Sequence, residues 1–165
     1  MVRDLKQDVA IRAARPDDVP AILRFVKALA EFERLAEQVT ASEEIFARSL
    51  FGPRPYAECL IAELGSEPAG IALFFHNFST FTGKSGLYLE DIFVAPEFRS
   101  LGIGLAFFRE LARVALARDC SRLEWSVLDW NERAIAFYRR LGAEPMSDWT
   151  VQRLTRETIE KLAAM

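Results

Sequence analysis

The chain has 165 residues, of which 51% are hydrophobic and 27% are charged. This length and composition suffice for a substantial buried core, so we expect one globular domain over residues 1–165. The net charge of −3 at pH 7 argues against a nucleic-acid partner, because proteins that bind phosphate backbones usually carry a basic excess.

Targeting and metal signals are weak throughout the sequence. The first nine residues carry scattered charges and no apolar stretch, and no later run reaches the roughly 20 apolar residues of a membrane span. Cys59, Cys120 and the single histidine, His76, do not lie at the spacing of metal ligands. We therefore expect a cytoplasmic protein with reduced thiols, no membrane partner and no metal.

Hydrophobic periodicity in the first half of the chain predicts two helices between one strand and a β-hairpin. The predicted elements are a strand at Val9–Ala13, a helix from Pro16 to about Glu33, a short helix from about Thr40 to Leu50, and strands at Ala57–Leu64 and Ala69–Phe78 joined by a turn at Gly65-Ser66-Glu67.

The second half alternates strands and helices, which is typical of a parallel crossover next to the antiparallel hairpin. The fold class is therefore α/β (α+β), with a central mixed sheet flanked by helices. The predicted elements are a loop at 79–86, strands at Leu87–Val94, Arg122–Leu128 and Trp149–Leu154, and helices at about Leu101–Arg118, Glu132–Leu141 and Thr155–Ala164.

A turn with two glycines joins the strand Leu87–Val94 to the helix that follows it. Ala95-Pro96 ends the strand, and Gly102 and Gly104 precede an apolar-periodic run. The N-terminus of a helix offers unpaired N–H groups and the positive end of the helix dipole, both of which favour phosphate or pyrophosphate. The turn is thus a candidate cofactor site.

The residues of this turn carry a family resemblance. Arg99–Gly104, R-S-L-G-I-G, fits the R/Q-x-x-G-x-G/A acetyl-CoA motif of the GNAT acetyltransferase superfamily, and Asn131–Ala143 resembles the second half of that fold. The stretches Ala30–Val39 and Leu87–Val94 are similar to those of the diamine (spermidine/spermine-type) and thialysine N-acetyltransferases. The resemblance implies acetyl-CoA bound where the parallel strands splay apart, and a homodimer.

The resemblance also implies which residues hold the donor. The pantetheine arm would pair with the backbone of Ile92, Phe93 and Val94, and Asn131 and Ala134 would contact the cofactor. Ser100 departs from the family pattern, since relatives often have glycine there, and the loop at 79–86, expected near the acceptor, also differs. The pyrophosphate would rest on N–H groups of Arg99, Ser100, Leu101, Gly102, Ile103, Gly104 and Leu105.

Acetyl transfer to an amine requires an acid for the departing thiolate and a base for the ammonium, because an amine with a pKa near 10.4 is neutral in only about one molecule in a thousand at pH 7. The resemblance favours Tyr138 as the acid, although its spacing from Ala134 also suits plain core packing. Glu90 is the candidate base, directly or through water.

The acceptor's cationic groups are expected to be held by Glu33 and Asp91. Strand alternation places Glu90 and Asp91 on opposite faces unless a bulge intervenes. Glu33 fits a solvated helix end equally well, and Phe32 suits packing better than a substrate wall.

Three functions are compatible with these patterns. The leading one is an acetyl-CoA-dependent N-acetyltransferase acting on a small cationic di- or polyamine or on a lysine-like amino acid. A non-catalytic acyl-CoA-binding regulatory module keeps the turn without the chemistry. A dinucleotide-binding oxidoreductase would use Glu124 as its ribose acid, but Phe107 stands where the third glycine is needed.

Overall fold

The computed structural model describes residues 9–165. The expectation that residues 1–8 carry no signal segment falls outside the described residues. The described chain forms two compact units, the first ending at Ser126 and the second covering Val127–Met165. No helix within residues 9–165 combines the length and the hydropathy needed to cross a membrane.

The first unit contains a five-stranded mixed sheet with strands in the order β1-β2-β3-β4-β5. The first three pairings are antiparallel, and β4 pairs with β5 in parallel. This confirms the mixed sheet flanked by helices. Its elements are β1 (Val9–Ala13), α1 (Val19–Phe32), α2 (Glu43–Phe51), β2 (Glu58–Leu64), β3 (Glu67–Ser79), β4 (Lys84–Val94), α3 (Ile103–Ala117) and β5 (Leu123–Trp125).

Helices cover both faces of this sheet. On one face, α1 and α2 bury side chains against β2, β3 and β4, in a cluster that includes Ile22, Phe25, Ile71 and Phe93. Because side chains alternate along a strand, Phe74 of β3 belongs to the opposite face, where the guanidinium of Arg118, just beyond α3, lies 5.9 Å from its ring. The hydrophobic stripe of α3 covers that second face.

The loop predicted at 79–86 is much shorter in the structure. Strand β3 continues to Ser79 and β4 begins at Lys84, so only residues 80–83 connect them. This tip lies at the beginning of β4, whereas the glycine turn follows its end at Val94. At about 3.3 Å per residue, the length of a β-strand separates the two, and the position of this loop relative to an acceptor stays a prediction.

The second unit contains α4 (Glu132–Arg140) and α5 (Arg156–Ala163). Residues 149–154 form no strand, so the strand predicted there is wrong. Their β-forming residues satisfy the local pattern, but a strand exists only where a neighbouring strand pairs with its N–H and C=O groups. None of the described strands pairs with this segment.

Candidate active site

Among the described strands, none pairs with the end of β4 on the side of β5, because β5 pairs only with Leu87, Tyr88 and Leu89. Strand β4 continues five residues further, to Val94. The two strands therefore splay at the carboxyl end of their parallel pair. In α/β sheets, ligands bind at this kind of position, beyond the carboxyl ends of the strands.

Backbone directions show which groups of β4 face the open side. The Leu87 N–H donates to the carbonyl of Arg122 at 2.9 Å, towards β5, whereas the Ala95 N–H donates to the carbonyl of Ala69 in β3 at 2.9 Å. Since these directions alternate along a strand, the backbone N–H and C=O groups of Ile92 and Val94 point away from β3. Those of Phe93 point towards β3. Two of the three residues expected to pair with pantetheine thus have the required orientation.

A β-bulge at Glu90 explains why the direction changes between Leu89 and Asp91. Leu73 of β3 pairs with Asp91, and the next residue, Phe74, pairs with Leu89. Glu90 is therefore the extra residue, and strict alternation of side chains breaks at this point. The bulge that would allow the side chains of Glu90 and Asp91 to serve one site is therefore present.

Asp91, beside this bulge, lies within electrostatic reach of two other carboxylates, those of Glu90 and Glu33. Burial, followed by the negative charges of Glu90 and Glu33, raises the pKa of Asp91 to about 6. Burial also raises the pKa of Glu33, which caps the C-terminus of α1. A cationic ligand would relieve this repulsion, and the carbonyl end of α1 adds further negative potential.

The glycine turn has the backbone geometry of an anion site. Ser100 and Gly102 both have positive φ, 68° and 82°, and α3 begins at Ile103 without a side-chain cap. The first N–H groups of α3 therefore have no partner within the helix. They include those of Gly104 and Leu105, so the backbone expected to hold a pyrophosphate is suitable for it.

The conformation of Ser100 gives a physical reason for its departure from the family pattern. A positive φ of 68° suits glycine, whereas a residue with a Cβ atom adopts it at a cost of roughly 1 kcal/mol or more. Serine at this position keeps the N–H direction that the turn needs, at some cost in stability.

Arg99 makes side-chain contacts that sequence reasoning missed. Its Nε donates to the Val94 carbonyl at 3.1 Å, and its guanidinium carbon lies 5.6 Å from the centroid of the Phe32 ring and 5.8 Å from that of Phe93. Phe32 thus packs against the side chain of Arg99 in the glycine turn. Residues 32 and 99 are far apart in the chain, so no local pattern could reveal this contact.

The second unit carries the remaining predicted residues. The Asn131 side chain caps α4 by accepting a hydrogen bond from the Ala134 N–H at 3.2 Å, which confirms the predicted cap. Tyr138 lies one turn after Ala134, half-buried, with its ring centroid 5.6 Å from that of Phe137. The roles of Tyr138, Asn131 and Ala134 towards a donor stay predictions from the resemblance.

The fold and the site together define a class of protein, a mixed-sheet α/β fold in which a turn suited to an anion lies beside a splayed strand edge and a group of carboxylates. Comparison with known proteins identifies the family. The model of the GNAT acetyltransferase family matches residues 23–143. The chain belongs to this family, and it is an N-acetyltransferase.

Individual relatives agree with this assignment. The chain is 40% identical to thialysine N-epsilon-acetyltransferase of Bos taurus, with 94% of this chain and 97% of the relative covered. It is 32% identical to spermidine/spermine N(1)-acetyltransferase-like protein 1 of Homo sapiens, covering 93% of this chain and 23% of the relative. The solved structure of the V. cholerae integron cassette protein VCH_CASS6 has the same fold, with a TM-score of 0.80, 24% identity, and 96% and 99% of the two chains covered.

Proposed function

We propose that the protein transfers the acetyl group of acetyl-CoA directly to a primary amine of a small di- or polyamine or of an amino acid with a lysine-like side chain. The observation that carries this proposal is the group of three carboxylates, Glu33, Glu90 and Asp91, beside the open end of β4. Such a group attracts a cationic acceptor and repels an anionic one.

The donor side of the proposal depends on backbone groups. The open N–H and C=O groups of Ile92 and the N–H of Val94 would hold the pantetheine arm, and the N–H groups from Arg99 to Leu105 would hold the pyrophosphate. Acetyl-CoA supplies an activated thioester. The family match supports this donor, and the geometry of the turn fits it.

The proton transfers are assigned to two side chains. Glu90 accepts a proton from the acceptor ammonium, directly or through water, so that the neutral nitrogen can attack the thioester carbonyl. Asp91 and Glu33 hold the cationic groups of the acceptor. As the C–S bond breaks, the Tyr138 hydroxyl donates its proton to the departing sulfur. The second proton that the nitrogen loses as the amide forms passes through water and restores the Tyr138 hydroxyl. No residue needs to form an acyl-enzyme, because the amine is the nucleophile.

The likeness to a thialysine enzyme supports lysine-like amino acids, and the likeness to a spermidine/spermine enzyme-like protein supports polyamines. CoA release with acetyl-CoA and a panel of lysine, ornithine, thialysine, putrescine and spermidine tests the proposal. As controls, lysine, ornithine and thialysine are matched by their side-chain N-acetylated forms, and putrescine and spermidine by forms acetylated on both terminal nitrogens. Turnover on the free amines alone is expected, whereas no turnover on any of them, with acetyl-CoA still bound, would exclude the proposal.

The resemblance also implies a homodimer, whereas the cytoplasmic location and the lack of nucleic-acid and membrane partners are expectations from charge and composition. We propose the dimer on the ground of the resemblance. Sedimentation equilibrium at micromolar concentration is expected to give a mass near twice the 18.7 kDa of the chain, and a mass of one chain throughout would contradict it.

A further inference from the structure

The guanidinium of Arg99 connects two elements that carry different halves of the proposed site. Arg99 belongs to the glycine turn, which is proposed to bind the donor and is called the donor turn below. Its Nε donates a hydrogen bond of 3.1 Å to the Val94 carbonyl at the end of β4. The same group lies 5.6 Å from the centroid of the Phe32 ring. Phe32 is the last residue of α1 and immediately precedes Glu33.

The side chain of Phe32 is less buried than the core side chains of α1. Its side chain is 44% exposed, whereas Phe25 in the middle of the helix is 4% exposed. Burial therefore fixes Phe32 less firmly, and the last turn of a helix is where fraying begins. A guanidinium over the Phe32 ring therefore adds a further stabilising contact at this position.

We propose that Arg99 is a positioning residue for the acceptor site. By lying over the Phe32 ring while bound to the Val94 carbonyl, it holds the end of α1 against the end of β4, and so keeps Glu33 within electrostatic reach of Asp91. This inference rests on the proposed function, in which Glu33 and Asp91 bind the acceptor. The donor turn then has two roles, because its backbone holds the donor and its arginine shapes the acceptor site.

Arginine has the properties that this position requires. Its planar guanidinium can stack on a ring while an N–H in the same plane donates to a carbonyl, whereas a lysine ammonium is a compact, strongly hydrated charge without such a plane. Arg99→Lys therefore preserves the charge of the turn and removes the stacked geometry. An effect of this substitution would therefore come from the lost geometry of the guanidinium, and not from a change in charge.

The first test measures hydrogen exchange in the ligand-free protein and so does not depend on activity. The Glu33, Arg34 and Leu35 amides close the end of α1 through bonds to the carbonyls of Leu29, Glu31 and Ala30. In Arg99→Lys these amides are expected to exchange about two- to fivefold faster, as for the loss of one exposed cation–π contact.

Arg24→Lys is the matched control for this experiment, because Arg24 lies 5.0 Å from the Phe25 ring centroid on the same helix. Phe25 is fixed by the core, so this change is expected to leave exchange at residues 33–35 as in the wild type. Equal exchange in Arg99→Lys and the wild type would overturn the inference.

The second test is a double-mutant cycle on the acceptor KM. Phe32→Ala is expected to raise the acceptor KM about two- to fivefold, with kcat and the acetyl-CoA KM close to wild type. If Arg99 acts through Phe32, Arg99→Lys raises the acceptor KM in the wild-type background and not in Phe32→Ala. Fully additive effects, or an unchanged acceptor KM in Phe32→Ala, would contradict the inference.

The two proposals fail in different ways. If the wild type releases no CoA with any amine, the proposed function fails, and the exchange experiment still decides whether Arg99 fixes the end of α1. If the wild type is active and the exchange at residues 33–35 does not respond to Arg99→Lys, only the positioning role fails.

Discussion

Asp91 combines a functional position with a cost in stability. Its carboxylate is half-buried on β4, and burial together with Glu90 and Glu33 raises its pKa to about 6. An ionised carboxylate in such surroundings destabilises the folded state unless a cation is bound. Under the proposed function, the free protein carries this cost until a cationic acceptor binds, and functional sites often carry such a cost.

Asp91→Asn is expected to stabilise the protein at pH 8 by about 2 kcal/mol. The raised pKa means that the folded state binds more protons than the unfolded state between the usual aspartate value and about pH 6. The contribution of Asp91 to the stability of the wild type therefore falls as the pH rises through this window, and this contribution is absent from the variant. Urea denaturation at pH 4 and pH 8 measures the difference, which is expected to nearly vanish at pH 4.

Asp18→Asn is the control of opposite sign for this experiment. Hydrogen bonds from Arg12 lower the pKa of Asp18, so this carboxylate stabilises the fold above its usual pKa, and the contribution is lost as the pH falls. Asp18→Asn is expected to destabilise the protein at pH 8. If Asp91→Asn also destabilised it at pH 8, the carboxylate would be well compensated in the free protein.

At the scale of elements, the sequence predicts best where local chemistry determines the structure. The cap of α4 by Asn131 and the glycine turn before α3 follow from residues close in the chain, and both are present. The local sequence does not predict the bulge at Glu90, because β-forming residues surround it and the register depends on pairing with β3. The missing strand at 149–154 has the same cause, since pairing partners are not encoded locally.

Helix α4 carries Tyr138, the proposed proton donor. Ala134 and Tyr138 are spaced i, i+4, so they lie on one face of the helix, and this placement suits both a core tyrosine and a catalytic acid. Tyr138→Phe is expected to lower kcat by about 10²-fold or more through loss of the proton donor. The affinity for acetyl-CoA, measured by calorimetry, is expected to change little.

A thermal unfolding curve distinguishes the two roles of Tyr138. Removing a hydroxyl from a half-buried tyrosine that only packs leaves kcat unchanged and shifts the midpoint slightly. A fall in kcat without a large fall in the midpoint supports the acid role, and Phe137→Leu on the same helix serves as a packing control. Unchanged turnover in Tyr138→Phe would remove this residue from the mechanism.

For the whole molecule, the composition predicts one domain over residues 1–165, whereas the described chain forms two compact units that meet in sequence at Ser126 and Val127. The family model spans this boundary, because it matches residues 23–143. A family unit that includes both parts favours cooperative folding, so the single domain stays our prediction. The three tryptophans of the chain provide a direct test.

Trp125 reports on the first unit, where its ring packs edge-on against Phe108 at a centroid distance of 4.9 Å, and Trp130 and Trp149 report on the second. A variant with Trp130→Phe and Trp149→Phe leaves only the first probe, and Trp125→Phe leaves the other two. If the chain folds as one domain, each variant gives the same urea midpoint by fluorescence as by far-UV circular dichroism. A fluorescence midpoint that differs from the circular dichroism midpoint within one variant would show that the units unfold separately, and comparison within a variant removes the effect of the substitutions themselves.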